Sequence, residues 1–101
     1  MRKAEIYQQG VLAGALVGEG RHFSFRYVKD YSGEPVSLTM PVSEEIYEFH
    51  RFPAVFEGLL PEGAQLAAML RRYKLDRDDF FGQLLLVGGD LVGSLQVKEI
   101  S

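Results

Sequence analysis

Lys3-Ala4-Glu5-Ile6-Tyr7-Gln8-Gln9-Gly10-Val11-Leu12-Ala13-Gly14-Ala15-Leu16-Val17 is the stretch on which the fold turns. Two extended runs, Lys3 to Gln9 and Val11 to Val17, are separated by one glycine, the pattern of a β-hairpin. Gly18-Glu19-Gly20 marks a second turn. Beyond it Phe23, Phe25 and Tyr27 alternate with Ser24 and Arg26, the period of a half-buried strand. Lys29 to Pro35 holds Asp30, Ser32, Gly33 and Pro35 and reads as a loop. Val36, Leu38, Met40 and Val42 then alternate with Ser37, Thr39 and Ser43, which predicts a fourth strand. Pro41 lacks an amide hydrogen and belongs at that strand's edge or end.

The pattern changes after Ser43. Glu44 to Pro53 is aromatic and charged without a clean period and reads as irregular. Ala54 to Leu60 predicts a short helix stopped at Pro61, because a residue before proline disfavours the α region. From Gly63 onward Leu66, Met69, Leu70 and Tyr73 fall on one helical face, with Arg71, Arg72 and Lys74 at the end where the helix dipole favours cations. Asp76 is the expected N-cap of the next helix, Asp78 and Asp79 add charge to its first turn, and Leu75 can staple onto Phe80. Phe80, Phe81, Leu84 and Leu85 form its stripe, and Gly88-Gly89 ends it through a left-handed glycine. A last strand places Leu91, Gly93, Leu95 and Val97 on one face and Val92, Ser94, Gln96 and Lys98 on the other. The expected class is α+β: one domain over residues 1–101, a small antiparallel sheet or partly open barrel, and two to three helices in the second half.

Composition narrows the function. Hydrophobic residues make up 47% and charged residues 25% of the 101 residues, the balance of a globular domain and not of a disordered chain. Eleven Lys and Arg stand against 14 Asp and Glu, a net charge of −3, which argues against nucleic-acid binding by this chain alone. Cysteine is absent, so disulfides and thiolate metal sites are excluded. The N-terminus lacks the apolar stretch of a signal peptide, and no run approaches the roughly 18 apolar residues of a membrane span. A cytoplasmic location without membrane contact is the expectation.

No catalytic machinery is legible. Gly18-x-Gly20-x-x-Phe23 with Val28-Lys29 downstream has the outline of a kinase glycine-rich loop, but the lysine follows too soon, and a hairpin turn is the simpler reading. His22 and His50 are isolated and lack the spacing of metal ligands. Ser94 sits outside any nucleophile elbow. The carboxylates Glu44, Glu45, Glu57, Glu62 and Asp90 read as solvated groups, and the Asp76, Asp78, Asp79 group as helix capping. Arg71-Arg72-Tyr73-Lys74 before a further helix has the outline of a helix-turn-helix, yet Asp76, Asp78 and Asp79 would stand where phosphates must approach. No enzyme, metal or cofactor is expected.

Two longer motifs remain. Phe56-Glu57-Gly58-Leu59-Leu60-Pro61-Glu62-Gly63 is followed by Phe80-Phe81-Gly82-Gln83-Leu84-Leu85-Leu86-Val87-Gly88-Gly89-Asp90-Leu91-Val92-Gly93-Ser94-Leu95-Gln96. Together with Ser24 to Tyr27 and Pro35 to Val42, they resemble the N-terminal subdomain of HipA-type serine/threonine kinase toxins. In full-length members a catalytic core follows this subdomain, with an ATP loop, a catalytic aspartate and a metal-binding aspartate that the 101 residues do not contain. A free-standing copy is similar to the HipS-like antitoxins of tripartite HipBST toxin–antitoxin systems. The resemblance implies an inhibitor that binds a HipT-like kinase toxin, with a HipB-like DNA-binding protein as a further member of a ternary complex. The alternative is an activating or structural subunit that completes a split kinase; a nucleotide-binding domain using Gly18, Gly20 and Lys29 ranks last.

A piece joined to a kinase in longer relatives should keep an apolar mating face, and a standard interface of roughly 800 Å² per side is within reach of a domain this small. The candidate partner-binding residues are Leu59, Leu60, Pro61, Glu62 and Gly63 of the turn, with Gln65, Leu66 and Met69 of the helix. Glycine and proline set the turn, and Glu62 and Gln65 can offer polar groups. The competing reading makes Leu59, Leu60, Leu66 and Met69 ordinary core, with Pro61 a helix stop. Tyr47, Phe49 and Phe52 are further aromatic candidates.

Overall fold

The computed structural model describes residues 1–43, 46–91 and 93–100; Glu44, Glu45, Val92 and Ser101, with the readings that fell on them, lie outside the described residues. Five strands form one antiparallel sheet: β1 Arg2–Gln8, β2 Val11–Glu19, β3 His22–Tyr27, β4 Ile46–Phe49 and β5 Leu95–Glu99. Their order is β4-β3-β2-β1-β5, so the first hairpin is the centre of the sheet and the C-terminal strand returns beside the first. The sheet is open, with β4 and β5 at its edges. Three helices lie between the last two strands: α1 Ala54–Glu57, α2 Gly63–Tyr73 and α3 Phe80–Val87.

Turn chemistry sets the two hairpins. Gln8 pairs with Val11 across a two-residue loop whose members Gln9 and Gly10 both have positive φ, 52° and 82°. That is the primed turn whose twist suits flanking strands. Gly20, at φ 61°, opens the second hairpin between the paired residues Glu19 and His22. The register between β1 and β2 shifts after Ile6, which leaves Ala13 as the extra residue of a bulge.

Period-two alternation sends Ala4, Ile6 and Gln8 of β1 to the helix side, with Leu16, Phe25, Tyr27, Leu95 and Val97 from the neighbouring strands. Phe56 of α1 and Phe81 and Leu84 of α3 close over them, and all are buried. Lys3, Glu5, Arg26 and Lys98 point the other way, so one sheet face stays wet, as antiparallel sheets allow. Phe52 is also buried, edge-on to Phe23 at 5.4 Å, and belongs to the core instead of a partner surface.

Three local expectations are corrected. Val36–Val42 is not a strand: Met40 N–H donates to Ser37 C=O at 3.1 Å and the chain doubles back in a tight turn. Val36 and Met40 are therefore buried while Leu38, which alternation would have put beside them, is 96% exposed. The fourth strand is instead Ile46–Phe49, whose half-buried Tyr47 and Phe49 flank an exposed Glu48. The N-cap of α3 is Asp79, not Asp76; its carboxylate accepts the Gly82 N–H at 3.0 Å. Asp76 serves through its carbonyl, which receives the Asp79 N–H at 3.1 Å and the Gln83 side-chain amide at 3.2 Å. Gly88 closes α3 at φ −55°, in the right-handed region. Its glycine identity answers a packing demand, because a Cβ there would overlap the Val97 carbonyl of β5.

α1 is shorter than predicted. It ends at Glu57, and Leu59 and Leu60 continue with N–H bonds to the carbonyls three residues back, at 3.1 Å each. The Leu59-Leu60-Pro61 corner is thus a tightened turn and not a last helical coil.

Candidate protein-docking site

α2 begins at Gly63, whose φ of 59° swings the chain out of the Pro61-Glu62 corner. Glu62 occupies the N-cap position with an extended backbone, makes no side-chain capping bond, and leaves its carboxylate exposed. The helix is amphipathic, and its apolar residues Leu66, Met69 and Leu70 sit on one side as their spacing predicts. None of its eleven residues is buried. Leu66, Met69 and Leu70 are only half-covered and Tyr73 is 49% exposed. Globular domains bury the apolar stripe of a helix; this one leaves the stripe partly open.

A groove of about 490 Å³ runs beside that stripe, between the Gly58–Pro61 corner, α2 and the C-terminal end of α3. Five of the eight predicted residues line it: Leu59, Leu60, Pro61, Gln65 and Met69. Glu62, Gly63 and Leu66 do not. Glu62 and Gly63, at the start of α2, and Leu66, one turn before Met69 on the stripe, lie outside the lining. Leu59 and Leu60 are also partly buried and pack against the core.

The opposite wall was not foreseen. Leu86, Val87, Asp90 and Leu91 come from the end of α3 and the turn after it, and Tyr73 closes the far end. Leu86 is 38% exposed, outside the buried stripe of α3. The signal was present in Leu84-Leu85-Leu86-Val87, which holds more apolar residues than one buried face of a helix requires. Polar groups are sparse: the Gln65 amide and the Asp90 carboxylate are the hydrogen-bonding side chains beside the Tyr73 phenol. The Arg72 guanidinium lies 5.4 Å from the Tyr73 ring centroid, over its face, and places a cation at the groove's end. The surface suits an apolar segment with a few polar contacts.

Other candidate residues are scattered or internally paired. Gly18 and Gly20 lie at one end of β3 and Lys29 beyond the other, about 20 Å apart at ~3.3 Å per strand residue, so they do not form one phosphate cradle. A second cavity of about 570 Å³ lies by Gly18 and Gly20, with Phe23, Phe52 and Phe81 among its lining. Those rings belong to the core or pack on it, and Arg2 there is bonded to Asp79 at 2.7 Å. His22 Nε2 is 3.3 Å from the Glu48 carboxylate, and its ring meets that of His50 edge-on. Among the described residues no three His, Cys, Asp or Glu side chains group as a metal site would require. No helix there is long and apolar enough to cross a membrane.

Known proteins resemble this chain in sequence and fold. An uncharacterized protein of Haemophilus influenzae is 29% identical over 99 residues, spanning 98% of this chain and 93% of its own length. A solved N-terminal domain of HipA toxin superposes with a TM-score of 0.80 at 27% identity, covering 100% of this chain and 94% of that one. A chain in the Shewanella oneidensis MR-1 toxin–antitoxin complex of HipA, HipB and operator DNA shares the fold, with a TM-score of 0.74 at 22% identity. There the match covers 94% of this chain but only 23% of the longer one. The profile of the HipA N-terminal domain matches residues 4–98, and the chain belongs to that family.

Proposed function

We propose that this chain is an antitoxin that binds a HipT- or HipA-like serine/threonine kinase in the cytoplasm and suppresses its phosphoryl transfer. It acts by protein–protein contact and contributes no chemistry of its own. The observation that carries this reading is α2: an amphipathic helix of eleven residues, none buried, flanking an apolar groove at the Leu59–Gly63 corner. In the Shewanella chain the same fold is 23% of the length, so it is there covalently continuous with a much larger body. In this reading α2, with none of its residues buried, and its groove are the surface through which the domain meets such a body. Leu59, Leu60, Pro61, Gln65 and Met69 form the contact, with Glu62, Gly63 and Leu66 at its margin.

A standard interface of roughly 800 Å² per partner is about one eighth of the 6757 Å² that this chain exposes. A HipB-like DNA-binding protein is a further member of the complex, and this chain's net charge of −3 does not favour direct contact with DNA.

A second reading has an observation in its favour. Because the same fold is built into the Shewanella chain, this domain would equally complete a kinase and raise its activity. One assay separates the two by sign. The purified protein is mixed with a HipA-type kinase, and phosphate transfer and complex formation are followed. Complex formation with reduced transfer is the expected result, whereas raised transfer establishes the completing subunit. Unchanged transfer without a complex overturns both.

A further inference from the structure

Resting on that reading, we infer that Leu38 is a pre-set apolar anchor that enters an uncharged, apolar pocket on the same kinase chain, as a second grip beside the α2 groove. Its side chain is 96% exposed, the most exposed of the large apolar residues described. A lone exposed leucine on a loose loop is ordinary. The turn carrying this one is not loose.

Both feet of the turn are held by one buried hydroxyl. Tyr27 accepts the Val36 N–H at 3.0 Å and donates to the Met40 carbonyl. The Val36 and Met40 side chains are themselves buried, at 6% and 2% exposure. Across the tip, Met40 N–H donates to Ser37 C=O at 3.1 Å and Thr39 N–H to Ser37 Oγ at 3.2 Å, and the Ser37 and Thr39 hydroxyls lie 2.9 Å apart. Holding a contact residue in its bound conformation removes the ordering cost that weakens flexible anchors. The whole of Pro35–Ser43 carries no charge, so the receiving pocket must be uncharged too, with rim groups that meet two hydroxyls.

Placement ties this tip to the proposed interface. Thr39 and Met40 line a mainly apolar groove of about 360 Å³ together with Arg51 and with Ala54 and Val55, the start of α1. Gly58 and Leu59, just past the end of α1, border the α2 groove. α1 is four residues, about 6 Å of helix, so it is a narrow ridge between two apolar troughs. A contact patch of standard size is roughly 30 Å across, so one partner lying over that ridge reaches both.

The test measures the affinity of the full chain for the HipA-type kinase used in the transfer assay, together with Tm of each variant alone. Leu38→Ala and Leu38→Glu should weaken binding by about 10- to 100-fold, the range expected on losing one buried leucine, with Tm unchanged because the side chain touches nothing in the free domain. Ile100→Glu, beyond the edge strand β5 at the other end of the sheet, should leave the affinity as it is. Wild-type binding that persists undiminished in Leu38→Glu overturns the anchor and leaves the proposed function standing. Equal weakening by Ile100→Glu also overturns it, since the effect would then be one of charge and not of place. A wild type that binds no such kinase overturns the function and the anchor together.

Discussion

The Tyr27 hydroxyl ties β3 to the 36–41 turn, and its environment predicts how the fold responds to alkali. Burial pushes the phenol above the ordinary value of 10.0, opposed in part by the hydrogen bond from the Val36 amide. The folded chain therefore holds this proton more tightly than the unfolded chain does. The resulting stabilisation is complete below pH 10 and is lost as the pH rises from there through the raised value. Tm should fall above pH 10. Tyr27→Phe should start lower, by about 1–3 kcal/mol for the two backbone groups left unpaired, and fall less steeply. It will not be flat, because burial raises Tyr31 as well. Thermal melts of both proteins between pH 8 and 11 check this; parallel curves would show that Tyr27 is not the titrating group. Asp79 supports a second prediction at this scale. It caps α3 and receives Arg2 at 2.7 Å, so Asp79→Ala should cost roughly 1–2 kcal/mol, whereas Asp76→Ala should cost close to nothing. Denaturant titration of the pair would read the difference. Asp76, Asp78 and Asp79 are all chemically able to cap; the three-residue offset follows from the buried Gln83 amide, which grips the Asp76 and Arg77 carbonyls and holds those residues in a turn.

Among elements, α2 is amphipathic and α3 almost wholly apolar, and they differ in fate. α3 lies on β5 with Phe81, Gln83 and Leu84 buried, and Gly88 lets its end approach the strand closely enough for Val97 N–H to reach the Gly88 carbonyl at 2.9 Å. Gly88→Ala should therefore destabilise the fold by about 1–3 kcal/mol through overpacking, measurable as a shift in the denaturant midpoint. α2 stands outside the core, and substitutions there should divide stability from binding. Met69→Glu should leave the unfolding free energy within about 1 kcal/mol of wild type, since the residue is only half-covered, yet abolish a complex that closes over the groove. A loss of fold in Met69→Glu equal to that of a core substitution would instead place α2 in the core.

For the molecule as a whole, the sheet's two faces set what a partner can cover. Lys3 and Lys98 stand on the open face, on neighbouring strands, and Lys74 caps the far end of α2. With the kinase bound, Lys74 should lose reactivity toward an amine-modifying reagent while Lys3 and Lys98 keep theirs, a contrast that mass spectrometry of the modified complex would read directly. Protection of Lys3 and Lys98 would put the partner on the sheet instead of the helices.

The sequence by itself determined the central hairpins, the class and the position of the candidate corner. Those signals are local: glycine turns, period-two alternation from Phe23 to Tyr27, and the Leu59–Gly63 run all act within a few residues. Only the tertiary structure decided which alternating segment became the fourth strand. Val36–Val42 satisfies the strand pattern, but the Tyr27 hydroxyl bonds its backbone on both sides and bends it into a turn, while Ile46–Phe49 takes the place beside β3. The groove likewise joins a helix to the end of another some twenty residues later, and no periodicity within either segment carries that distance. Nor does an apolar stripe say whether the chain's own core will cover it. That depends on how much surface the sheet offers, and here α1 and α3 take the covered face before α2 can reach it.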